Sequence, residues 1–373
     1  MIGGLVRLPS LIAMVHQSGP PPLPVSGRVG RALVRVSVSD EVRRGAFQLE
    51  LRAGRSASDV LDRRLLQEPS IQVGSRLSIG VWSRGRSTYV LHGVVTRHEL
   101  LPSTTGADRL VVTGEDLGHQ MSLRQASPAS EGSWDELSDL EIVQQILARY
   151  ATIGIRPDVS FPVGPSVRGH RQQRKSDLEF VRQLAAEHGL EVRLRPQGPL
   201  TVAQVGTPGE LDREDRDVVL SAGVVSRDAV TAERVTYQPD RAETVVTWDG
   251  SQSQSVSTPS IAGDTAVPAS SHERLVRSSV LRTGEHRDPR KAGSRLLDQS
   301  AQRVGEAMLR VDGTQLGRPV RAGTKVQVRG LGWLADGWWR VLRVEHDLRH
   351  GTWTQSVQVG RDGVGATISQ VAS

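Results

Sequence analysis

The sequence predicts a mixed α+β, β-rich protein with two small antiparallel β-barrel modules joined by helix-hairpin segments. Three observations predict it. The stretch from Gly323 to Gly360 reads as three short strands between glycine-rich turns: Lys325 to Arg329, Trp338 to His346, and Trp353 to Val359. An earlier stretch from Gly74 lines up with it, giving strands at Leu77 to Val81, Thr88 to His98 and Arg109 to Gly114, with His98 matching His346. Two helices open on the same tetrapeptide, Ser138-Asp139-Leu140-Glu141 and Ser176-Asp177-Leu178-Glu179. Any two antiparallel meanders look alike, so chance stands beside duplication as the origin of the repeat.

Residues 1–30 read as an irregular arm, because Pro20, Pro21, Pro22 and Pro24 oppose a helix and favour extended chain. Arg31 to Val38 and Phe47 to Leu51 alternate apolar and polar residues. With the three strands after Gly74 they form a five-strand set of the kind that closes into a small barrel, residues 31–118.

Residues 119–250 read as an α+β middle region. Both Ser-Asp-Leu-Glu segments fit the capping box, and their acids suit the helix dipole. Leu140, Val143, Ile146, Leu147 and Tyr150 make one apolar stripe; Leu178, Val181, Leu184 and Ala185 make the other, with Gly189 as its C-terminal stop. LEVRL and PLTVA around RPQG form a hairpin, and VTAERVTYQ and AETVVTWDG read as further strands. Residues 251–287 read as a Ser/Gln/Pro-rich linker or long loop. A helix is predicted over 288–313, opened by Asp288-Pro289 and carried by Leu297, Ala301, Val304, Met308 and Val311. The second barrel spans 314–363, and residues 364–373 are a tail.

The 373 residues carry 47 basic and 41 acidic side chains, net +6, and only Lys175, Lys291 and Lys325 are lysines. A basic chain can bind a polyanion. Here the arginines are scattered among acids; the dense cluster from Arg168 to Lys175 reads as a solvated loop, with a phosphate site as the other reading. Cysteine is absent, which excludes disulfides, thiolate metal sites and cysteine nucleophiles. No apolar run reaches the length of a membrane span or signal core, so a chain made in the cytoplasm without a signal peptide is expected.

No constellation for catalysis rises above background, and no cofactor is expected. His346 and His350, with Glu345 and Asp347 beside them, have helical metal-site spacing, but a strand holds such residues about 13 Å apart. No phosphate loop, dinucleotide fingerprint or nucleophile elbow is present. Four of the seven tryptophans lie in the last module, and adjacent Trp338 and Trp339 must point to opposite faces of a strand. One can fill the barrel; the other faces a partner or a further layer of this chain.

Three segments in this order carry a resemblance: SDLEFVRQLAAEHGLEVRLRPQGPLTV, VDGTQLGRPVRAGTKVQVRGLG and GWWRVLRVEHDLRHGTWTQSVQVGRDG. Over residues 31–363 the chain resembles the phage late control D family, the tail hub proteins of contractile phages, and is similar to the hubs of phage-derived contractile injection particles and the hub part of VgrG. The resemblance implies tube-like barrels and a homotrimer in which two barrels per chain give six quasi-equivalent modules. Such a ring would adapt a trimeric spike protein to a hexameric inner tube, beside other baseplate proteins, in a phage tail or injection particle. The chain ends at Ser373, soon after the barrel, so spike and any wall hydrolysis are expected on other chains. Trp338, Trp339, Trp353, His346, His98 and Tyr89 are the candidate assembly residues, and Trp338→Ala or Trp339→Ala is expected to weaken assembly while sparing the fold. A basic barrel that binds nucleic acid is the alternative; a wall-polymer hydrolase comes last.

Overall fold

The computed structural model describes residues 13–17, 23–53, 65–83, 85–104, 107–125, 133–161, 169–211, 218–222, 230–237, 245–247, 252–253, 280–281, 305–332, 335–349 and 351–361. The described part of the N-terminal arm is more regular than expected. It contains strands β1 (Ala13–Gln17) and β2 (Leu23–Pro24) and helix α1 (Gly27–Ala32). The helix starts immediately beyond the prolines, where the Ser26 hydroxyl accepts from the Val29 amide at 3.3 Å.

Five strands follow: β3 (Leu33–Glu41), β4 (Gly45–Ala53), β5 (Arg76–Ser83), β6 (Arg86–Leu101) and β7 (Asp108–Asp116). They are the five expected strands, each somewhat longer, although the first starts only at Leu33 because Arg31 and Ala32 belong to α1. Across the sheet they run β3-β4-β7-β6-β5, antiparallel throughout. In β4 the side chains of Phe47, Leu49 and Leu51 are buried, while Gln48 and Glu50 are half-buried, as the two-residue period demands. Gly93 and Gly114 make room for Phe47, because a Cβ at either would overlap its ring. β1 adds to the free edge of β5, and β2 pairs with β1.

The middle region contains helix α2 (Gly118–Leu123), β8 (Ser133–Leu137), helix α3 (Asp139–Ala148), β9 (Ile155–Val159), β10 (Gly169–Gln172) and helix α4 (Asp177–Glu187). It ends with β11 (Glu191–Gln197), β12 (Leu200–Gly206) and helix α5 (Pro208–Leu211). Ser138 and Glu141 form the full capping box, and the Ser176 hydroxyl accepts from the Glu179 amide at 3.4 Å. The expected stripe of α4 is buried, and Gly189 ends it at φ 78°. In α3 the buried face is shifted: Ile142 joins Val143, Ile146 and Leu147, while Leu140 is half-buried. The expected hairpin is β11–β12, and β9 lies parallel on its outer edge.

The remaining strands are β13 (Val219–Ser221), β14 (Val230–Tyr237), β15 (Val245–Thr247), β16 (Gln252–Ser253), β17 (Val280–Leu281) and β18 (Gly305–Asp312). After helix α6 (Gly313–Leu316) come β19 (Lys325–Arg329), β20 (Gly337–Arg349) and β21 (Thr352–Arg361). Five of them run β14-β18-β21-β20-β19, antiparallel at every step, in the same order as the first unit. β13 lies parallel on β19, and Ala222 bridges to Val230, so pairing returns from β19 to β14. β15, β16 and β17 form a separate small sheet within the stretch expected to be strand and linker; the rest of that linker lies outside the described residues.

The helix expected over 288–313 is not what the structure has at 305–312. That segment is β18, hydrogen-bonded to β14 on one edge and β21 on the other. Ala307, Leu309 and Val311 are its buried face, with a period of two; the helical reading used Met308, which lies on the opposite face. Two partner strands override a spacing that fits both periods. Residues 288–304 lie outside the described residues.

β20 joins the two units. Its first residues pair with β19, from Gly337 opposite Val328 to Arg340 opposite Lys325, and its later ones pair with β3, from Arg343 opposite Glu41 to Arg349 opposite Arg35. One thirteen-stranded sheet results among the described residues. Three apolar clusters fill the first unit, the middle region and the second unit, and Leu348 and Trp353 from β20 and β21 belong to that of the first.

Candidate functional site

The six candidate assembly residues divide into two groups. Trp339 is fully buried, its indole N–H donates to the Ala335 carbonyl at 2.8 Å, and the buried Arg361 guanidinium lies 5.0 Å from its ring centroid. Trp353 covers Gly313, where a Cβ would overlap the indole, and donates to His346 Nδ1 at 3.4 Å. His346 is itself buried; burial, helped by the Arg321 charge, pushes its pKa down to about 3. These three residues are internal packing of this chain, which removes them from its surface. Trp339→Ala would therefore open the core rather than spare the fold.

Trp338, Tyr89 and His98 are half-buried. Trp338 points away from Trp339, as strand alternation requires, and the Lys325 ammonium sits 5.5 Å from its ring centroid. Tyr89 lies against His92 at 5.0 Å between centroids, and burial raises its phenol pKa. His98 Nε2 is 2.6 Å from the Ile71 carbonyl, and His98 lies within β6, opposite Val112, rather than at the expected strand end. Trp333 and His350 lie outside the described residues.

The contacts that set the parts of the chain against one another are mostly arginine contacts. Arg35 on β3 donates to Asp347 on β20 at 2.8 and 3.1 Å. Glu191 on β11 takes Arg340 from β20 and Arg193 from its own strand; burial opposes its charge, and the two guanidinium groups overcome that and hold its pKa low. Ala322 N–H donates to Asp40 at 3.0 Å, and Arg321 donates to the carbonyls of Tyr89 and Val90. Partners separated by 149 or 312 positions leave no local pattern to read.

The repeated Ser-Asp-Leu-Glu also does more than cap. Asp139 is buried and accepts from Arg171 at 2.9 and 2.8 Å and from His188 at 2.8 Å. Asp177, with no exposed surface, takes the Tyr150 hydroxyl and the Gln173 amide, both at 2.7 Å. Burial and then Asp177 push the Tyr150 pKa up. Arg171, in the middle of the basic stretch expected to be a solvated loop, is on β10 and also bonds Glu187 at 2.8 Å. Among the described residues no group of three or more His, Asp or Glu is placed to hold a metal.

Comparison with known proteins places this geometry. No curated protein sequence matches the chain. The 43 kDa tail protein of prophage MuSo2 from Shewanella oneidensis is 14% identical, with a TM-score of 0.66 over 96% of this chain and 100% of its own. The tail protein from Neisseria meningitidis MC58 is also 14% identical, with a TM-score of 0.64 over 95% and 98%. The E. coli c3393 protein, a component of the type VI secretion system, is 11% identical with a TM-score of 0.51 over 88% and 73%. At such identities these likenesses carry the fold. The model of the phage tail baseplate hub (GPD) family matches residues 43–352, which is most of the chain, and with it the long sheet acquires a family: this protein belongs to the phage tail baseplate hubs.

Proposed function

We propose that three copies of this chain form a ring in which two five-strand units per chain supply six quasi-equivalent modules, adapting a trimeric spike protein to a hexameric inner tube. The observation that carries this reading is the shared strand order, β3-β4-β7-β6-β5 against β14-β18-β21-β20-β19. Two units of one topology can meet a sixfold partner in similar ways. The return of pairing from β19 through β13 to β14 supports a closed barrel for the second unit. Pairing of β20 with β3 supports a fixed angle between the units, which a ring needs. Trp338, Tyr89 and His98, which reach the surface, are the candidate contacts with neighbouring subunits or the first tube layer.

Membership of a structural tail family points to a non-enzymatic role in a virion or tail-like particle. Among the described residues no helix is long and apolar enough to cross a membrane. The nucleic-acid alternative is weakened, because Arg171 is engaged with Asp139 and Glu187. Light scattering in low and high salt tests the ring: it requires a salt-insensitive mass three times the 40.5 kDa chain. A monomer at all concentrations would sink self-assembly of the hub, and a mass that shifts only with added nucleic acid would favour the alternative.

A further inference from the structure

Where the first unit, the middle region and the segment leading into β19 meet, the chain forms a small pocket that is partly open to solvent. Its walls carry Arg43, Arg44, Arg182, Arg193, Arg195 and Arg321 with three carboxylates, Asp40, Glu41 and Asp116; of the arginines, Arg44 is paired with Glu115 and Arg193 with Glu191. The carboxylates are already engaged. Asp116 accepts main-chain N–H from Gly45 and Gly118, Asp40 accepts from Ala322, and Glu41 pairs with Arg343. Not every donor of the lining is engaged: the buried Nε of Arg182 and the hydroxyl of Thr201, a residue only 2% exposed, have no hydrogen-bond partner among the described residues. Arg182 is held in place by its Nη2, which donates to the Arg43 carbonyl.

A buried N–H or O–H left without an acceptor is costly, and an excess of guanidinium over carboxylate raises that cost. A tetrahedral oxyanion answers both demands, since it brings negative charge and several acceptor oxygens, and guanidinium matches it in a forked geometry. We infer that this junction cavity is a binding site for a small inorganic oxyanion, phosphate or sulfate, with Arg182 and Thr201 donating to it. The anion would tie β4, the β11–β12 hairpin and the segment at Arg321 together from inside. The site does not depend on ring formation, so the mass measurement above and the test below fail separately.

The test uses the full chain purified in chloride. Sodium phosphate and sodium sulfate are titrated at constant ionic strength, with thermal unfolding and isothermal calorimetry as readouts. One anion per chain and a saturating rise in Tm are expected. Thr201→Val keeps the shape of the side chain and removes the hydroxyl; it should leave Tm in chloride nearly unchanged and weaken anion affinity by about tenfold. Arg182→Gln should weaken it further, whereas Arg174→Gln, at an exposed position of the basic stretch, should not. Equal, non-saturating Tm rises in all four proteins would mean general salting-out and overturn the site. So would the absence of calorimetric binding, which would mean that water or a carboxylate of the chain fills the space. A response to only one of the two anions would name the source.

Discussion

In the first unit β3 and β4 are joined by residues 42–44, while their counterparts β14 and β18 are separated by residues 238–304. The pairing order is nevertheless the same. Loop length changes closure entropy only logarithmically, so a sheet order tolerates an insertion that a core would not. The interiors differ more. The second unit fills itself, around Trp339 and the buried Arg361, and no residue of β3 to β7 belongs to its apolar cluster. The first unit does not fill itself: it lays Phe47 over two glycines and takes Leu348 and Trp353 from its neighbour. Strand order is thus shared between the units, whereas packing is one-sided.

The largest expected effect comes from breaking that one-sidedness. Trp353→Ala should cost about 3–5 kcal/mol, and amide exchange of Leu49 and Leu51 in β4 should speed up although both lie in the other unit. Loss of protection confined to β20 and β21 would show that the first unit does not rely on the borrowed indole. Trp339→Ala should cost a similar amount, about 3–5 kcal/mol, read as a fall in the denaturant midpoint, with exchange of Leu49 and Leu51 affected only through global unfolding.

Acid sharpens the comparison because, among the described residues, each unit buries one neutral histidine. Burial lowers His92 to about 4 and His346 to about 3, against an ordinary 6.5, in each case with a smaller push from Arg321. Below about pH 6.5 the unfolded rings take up protons that the folded rings refuse. Stability should therefore be flat above that pH and fall as pH drops toward 4, by about 1–2 kcal/mol per ring at pH 5. His92→Gln and His346→Gln should each flatten part of this slope in urea titrations, and an unchanged slope in both would refute the assignment.

Smaller effects are expected at the surface of the joint. Asp347→Asn loosens a pair whose side chains are about one-third exposed, and should cost no more than about 1 kcal/mol. Trp338→Ala should change stability by less than about 1 kcal/mol and, if Trp338 is a ring contact, lower the trimer fraction by light scattering at equal concentration. A full trimer with this residue replaced would move the contact elsewhere.

Much of the fold was legible where the pattern is local. The strands of both repeats, the two capped helices, the β11–β12 hairpin and the opposed faces of Trp338 and Trp339 follow from periodicity, capping residues and turns. Segment 305–312 was misread because Met308 and Val311 satisfy a helical period in isolation, and only β14 and β21 on its two edges make it a strand. The candidate site was less legible. Tryptophan content marked residues of large contact area without saying whether the contact is with a partner or within the chain, and for Trp339 and Trp353 it is within the chain.

The amino-acid sequence by itself determined the capped helices, the β11–β12 hairpin, most strands of the two units and the family, because these rest on residues close together in the chain. What only the tertiary structure decided is how β20 divides its pairing between β19 and β3, which unit Trp353 fills, and where six arginines gather around one cavity. Each depends on groups that are far apart in sequence and meet only when burial and hydrogen bonding are satisfied for the whole chain together.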